Sequence, residues 1–300
     1  MPDREHQLEW ESAQRMRAAI SSIVAGVVLV AGALYGLAVI QTHDPAVGLI
    51  QGLSPALHGL ARAAVDPHTA RERFTDNHAA AFILAAIFNN IGMLAIVPML
   101  LYLHSAVRFR RPETSQAAKY LAIGGPVAAA IFGIAAEIIF LVNAHRYITH
   151  TDRSHHALTQ AVSSAPQLVL STLATFGLLA LTAALIMVSI GAIRTGLLSR
   201  FLGYVGVFGG ILFIVPFFPI PAVQAFWLVG VGIVLAGVGD IVLPPAWAAG
   251  EAQPWPKSQG RADARERGRG NGRPTAEPAP APAVPTESSP HASKKRKRRR

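Results

Sequence analysis

The stretch Tyr120–Asn143, YLAIGGPVAAAIFGIAAEIIFLVN, runs for 24 residues with a single charge. As a helix rising about 1.5 Å per residue it is about 36 Å long, enough to cross the roughly 30 Å hydrocarbon core of a bilayer. Inside hydrocarbon every backbone polar group has to be satisfied within the segment, which leaves such a run little alternative to a membrane helix. Its one charge, Glu137, continues a series at four-residue spacing through Gly125, Ala129 and Gly133. Positions four apart share a helix face, and small residues on that face let neighbouring helices approach closely. Glu137 is therefore expected to face protein and to hydrogen-bond Asn89, Asn90 or a hydroxyl of the fourth span, and an ionisable group so placed is a candidate functional site.

The same reasoning along the chain predicts an all-α integral membrane bundle of about six transmembrane helices, at about 18–40, 79–103, 120–143, 166–190, 201–216 and 222–243. The first apolar run exceeds the 7–15 residues of a signal-peptide core and has no convincing cleavage site, so it reads as an uncleaved span. Gly32 and Gly36 within it suit close helix contact. Residues 1–17 form a polar cytoplasmic segment that suits a short surface helix. In the connection 41–78, Ser54-Pro55 and Asp66-Pro67 each place a capping residue before a proline, the signature of two helix starts. Ser171, Thr172, Thr175 and Thr182 dot the fourth span, where hydroxyls can bond their own helix's carbonyls. Spans five and six make a tight hairpin turned by Pro216, Pro219 and Pro221, and Gly232, Ala236 and Asp240 repeat in span six the small stripe ending in an acid. Residues 244–257 read as an interfacial segment, with Trp247 and Trp255 as anchors. Residues 258–300, rich in Arg, Gly, Pro, Ala and Ser, cannot bury enough apolar area to offset the entropy of ordering and are expected to be a disordered basic tail.

Half the residues are hydrophobic (51%) and 15% are charged, which points away from a soluble enzyme. The net charge of +10 misleads, because residues 257–300 carry 13 of the 27 Lys and Arg against four acids. The absence of cysteine excludes disulfides, thiolate metal sites and cysteine nucleophiles. With six spans, the side holding the N-terminus, the 104–119 loop and the 191–200 loop has nine Lys and Arg, and the opposite side five. Cations concentrate on the cytoplasmic side, so both termini are expected there. The closing run Lys294, Lys295, Arg296, Lys297, Arg298, Arg299 and Arg300 is expected to adsorb to anionic lipid, with RNA the weaker alternative.

Few polar groups interrupt the spans. Asn89 and Asn90 sit mid-span, where an amide needs a partner inside the bundle. Eight of the eleven histidines fall in the two connections placed outside, and His68, His78, His145 and His150 form a candidate divalent-metal set. The alternative for them is solvated loop histidine, since no zinc-protease spacing such as HExxH occurs. No phosphate-binding glycine loop or Ser-His-Asp arrangement stands in the right context.

Arg194–Gly203 (RTGLLSRFLG), Val223–Trp227 (VQAFW), Pro244-Pro245-Ala246-Trp247 and Pro254-Trp255-Pro256 resemble an uncharacterised family of multi-pass membrane proteins from high-GC Gram-positive bacteria. The resemblance implies a bacterial plasma-membrane location and brings no activity or functional residue with it. Three readings of function remain. The first is a non-enzymatic interaction or scaffold protein without cofactor, its tail on the lipid surface, with a protein partner or a second copy of itself. The second is a small-solute or ion transporter using Glu137, Asn89 and Asn90. The third is a metal-dependent membrane hydrolase using the outward-facing histidines.

Overall fold

A computed structural model describes residues 4–41, 69–150, 155–215, 217, 220–238 and 244–253. The described elements are all helical. Helix α1 (Arg4–Tyr35) continues into a six-residue π-helical segment, Gly36–Gln41. There follow α2 (Thr69–Asn77), α3 (Ala79–Arg110), α4 (Ala117–Thr149), α5 (His155–Val162), α6 (Ala165–Thr195), α7 (Arg200–Ile211), α8 (Ala222–Ala236) and α9 (Pro245–Ala249). The segment 4–17 extends the first apolar run as one helix, where a separate surface helix was expected. Four helices, of 31 to 36 residues, are long and apolar enough to cross a membrane: α1 with its extension, α3, α4 and α6. Large apolar side chains such as Ile20, Val27, Ile91, Ile131 and Phe176 stand exposed on them, the surface a lipid solvent tolerates and water does not. These features fit a membrane location.

Spans five and six were expected to be full crossings. Helices α7 and α8 have 12 and 15 residues, about 18 and 22 Å, against the roughly 20 residues a crossing needs. The prolines explain the shortfall at one end: α7 stops at Ile211, and α8 starts only after Pro221. At its other end α8 is closed by Gly237 with φ +64°, a left-handed cap that glycine adopts without strain. Pro55–Val65, the first short helix expected in the long connection, lies outside the described residues, as do Asp240 and Trp255. The second appears as α2, beginning two residues after Pro67.

Small residues set the packing. A Cβ at Gly125 would fall 2.5 Å from the Leu181 backbone nitrogen, and one at Gly177 would fall 2.4 Å from that of Ala129, so α4 and α6 touch backbone to backbone. Gly232 brings α8 onto Ile23 and the Ala19 carbonyl of α1, and Gly32 brings α1 onto Phe88 of α3. Gly36 meets nothing within 4 Å. Hydroxyls do the rest: Ser22 donates to the Leu228 carbonyl (2.6 Å) and Thr182 to that of Gly210 (2.9 Å), joining neighbouring helices. Ser171, Thr172 and Thr175 instead bond carbonyls of α6 itself.

Four stretches distant in sequence meet at one end of the bundle. Arg110, at the last position of α3, forms a bidentate pair with Glu11 of α1 (Nη1–Oε1 2.8 Å, Nη2–Oε2 2.9 Å) and donates through Nε and Nη2 to the Ala246 carbonyl of α9. The rings of Trp10, Tyr102 and Trp247 stack in series, and the guanidinium closes the row over Trp247 at 5.4 Å. The Trp247 indole donates to the Leu197 carbonyl (3.2 Å) between α6 and α7. Trp247 is thus a buried keystone where an interfacial anchor was expected, because the indole N–H finds a protein acceptor. At the opposite end α2 packs on α4, where His145 meets Asp76 at 2.9 Å and the Thr69 and Tyr147 hydroxyls bond.

Candidate functional site: a polar cavity between three long helices

The stripe Gly125, Ala129, Gly133, Glu137 divides its work along α4. Its first two members press on α6, and a Cβ at Gly133 would find only the Asn90 Oδ1, at 3.7 Å. One turn further, where no close contact fills the space, Glu137 lines a cavity of about 340 Å³ bounded by α3, α4 and α6. Asn89 and Asn90 of α3 line the same cavity, with Met93 and Leu178 among the apolar residues closing it. The three polar residues singled out in the sequence therefore come together.

Their hydrogen bonding differs from expectation. Among the described residues Glu137 has no hydrogen-bond or ion-pair partner, where a bond to an asparagine or a span-four hydroxyl was expected. Asn90 is 5% exposed; its amide nitrogen donates to the Ala86 carbonyl (2.8 Å) and its Oδ1 has no partner. Asn89 is exposed within the cavity wall and is shared with a second cavity of about 300 Å³, whose wall includes Gly32 of α1, Phe213 and Phe217 of the hairpin, and Gln224 of α8. Among the described residues Glu137 is the only charged one lining either cavity. A lone carboxylate with nearby amide oxygens is an arrangement of oxygen acceptors, and such a set favours a hard cation or an ammonium group over an anion.

Gln224 is 7% exposed and belongs to this region, though the sequence reading passed over it. The rule that picked out Asn89, an amide within an apolar run, applies to it equally. Glu11 and Arg110 gave no such signal, since 99 positions separate them and each lies in a polar stretch.

Of the histidine set, His78, between α2 and α3, has its Nδ1 2.9 Å from the Phe74 carbonyl, His145 pairs with Asp76, and His150 is exposed at the end of α4. His68 lies outside the described residues. No group of three or more His, Asp or Glu able to hold a metal occurs among the described residues. Lys294–Arg300 also lie outside them. The chain matches no protein-family model, no curated protein and no solved structure.

Proposed function

We propose that the protein is a transporter of small cations or cationic solutes in a bacterial plasma membrane, with Glu137, Asn89 and Asn90 as its binding groups. One observation carries this reading: a carboxylate without a partner among the described residues shares a cavity between long apolar helices with two amides, one of whose oxygens is also unpaired. Structural acids inside a bundle normally have partners, because leaving them unpaired costs free energy. An open carboxylate is consistent with a group whose partner comes and goes. In this mechanism Glu137 supplies charge, Asn89 and Asn90 supply carbonyl oxygens in place of hydration, and Gly133 keeps the approach open.

The proposal takes six helices as membrane-embedded, four crossing fully and α7–α8 entering and leaving at the same end. Support comes from the contacts that hold Glu11, Arg110, Leu197 and Ala246 together, and from the concentration of loop cations on that side, which favours a cytoplasmic location for both termini. The resemblance to multi-pass proteins of Gram-positive bacteria supports the location. The scaffold reading rests on the tail, and the hydrolase reading on a histidine set of which His78 and His145 are engaged by Phe74 and Asp76.

The test is uptake into proteoliposomes of protons, sodium ions and methylammonium, each driven by its own gradient. Flux of at least one above protein-free vesicles, lost in Glu137→Gln with the fold retained, is the expected result. Equal leak in all preparations would refute the reading.

A further inference from the structure

We propose that a third cavity, at the cation-rich end between α1, α3 and α4, binds a phosphate-bearing anion, a phosphate monoester or diester. The cavity measures about 350 Å³ and is lined by Gln7, His104, Ser105, Arg108 and Lys119, with no carboxylate in its wall among the described residues. The cations around it divide into two kinds. Arg4, Arg110 and Arg111 are paired with Glu251, Glu11 and Glu113. Arg108 and Lys119, the two that line the cavity, have no ion pair among the described residues. The Gln116 amide end lies 2.6 and 2.8 Å from the two terminal nitrogens of the Arg108 guanidinium, and its oxygen accepts from both when the amide is oriented to satisfy them. That neutral acceptor orients the fork and leaves its charge uncompensated.

An independent observation comes from His104. It is 3% exposed, and its Nε2 has no hydrogen-bond partner. A buried ring nitrogen left unpaired is costly, and His104 is a residue of this cavity's wall. Two cations and a hydroxyl lining one space form a donor set suited to a tetrahedral oxyanion, with the planar guanidinium able to grip two oxygens at once. Basic pockets between membrane helices at the cytoplasmic level receive lipid headgroups in this way. A soluble phosphate has the same chemistry, and the experiment separates the two sources.

The full-length chain is placed in nanodiscs. In phosphatidylcholine discs, the melting temperature is followed against inorganic phosphate, with chloride at equal ionic strength as reference. In discs doped with phosphatidylglycerol, the lipid retained per protein is counted by native mass spectrometry. Saturable stabilisation in the first arm assigns a soluble phosphate, and preferential retention in the second assigns a lipid headgroup. Whichever arm responds, Lys119→Gln and Arg108→Gln should each weaken binding by about tenfold with the tail intact. Lys119 is exposed, so its variant tests the site without threatening the fold. No saturable effect in either arm, or wild-type affinity in both variants, would overturn the proposal.

Discussion

At the scale of single residues, the strongest polar element is the pair of Arg110, with its side chain 0% exposed, and Glu11, at 3%. Removing one member leaves the other charge buried and unpaired, a loss of about 3–5 kcal/mol in comparable pairs. Arg110→Met should therefore lower the melting temperature in detergent sharply, and Glu11→Leu combined with it should recover part of the loss. Recovery stays incomplete because the Ala246 carbonyl has also lost its donors. If Arg110→Met melts like the parent, the pair does not hold this end together. Glu137 should behave in the opposite way. With no partner to abandon, Glu137→Gln is expected to change the melting temperature little, and a strongly destabilised Gln variant would show that the carboxylate has a structural partner. The sequence revealed Glu137, Asn89 and Asn90 because a polar residue in an apolar run needs a reason. It could not reveal Glu11 and Arg110, whose significance arises only when α1 and α3 run side by side.

At the scale of helices, glycines that look alike in sequence do different work. Gly125→Ala would drive a Cβ to 2.5 Å from backbone in α6, whereas a Cβ at the adjacent Gly124 meets nothing within 4 Å. The first should cost about 1–3 kcal/mol through overpacking, and the second should be neutral, as judged by paired melting curves. Equal effects would contradict the α4–α6 contact. The four long helices were legible because length and apolarity are what make a helix able to cross a membrane. The hairpin was less so: its prolines marked the turn, but apolar residues continue beyond the helix ends, and apolarity alone does not say where hydrogen bonding stops. The packing of Trp247 was hidden for a related reason. A tryptophan beside prolines at the end of an apolar run looks like an anchor until its stacking partner Tyr102, 145 positions away, is known.

At the scale of the whole molecule, the chain holds its cationic loops and both described termini at one end, with a polar chamber in the opposite half. Because it lacks cysteine, single introduced cysteines report position without background. Ser115→Cys in the α3–α4 loop and Ser163→Cys before α6 lie at opposite ends and are both exposed. An impermeant thiol reagent applied to intact cells should modify the Ser163 variant alone, and the reverse pattern would invert the assigned orientation. The central claim is that the chamber around Glu137 is reached by water-borne solutes. Gly133→Cys tests it directly, since its side chain would project beside Asn90 with room to spare, while Ala122→Cys, at a position 0% exposed, serves as the buried control. A hydrophilic cationic methanethiosulfonate should modify the Gly133 variant many times faster than the Ala122 variant, and Glu137→Gln in the same background should slow it by removing the attracting charge. Modification of the Gly133 variant as slow as that of the Ala122 variant would mean a sealed cavity, and would contradict the account.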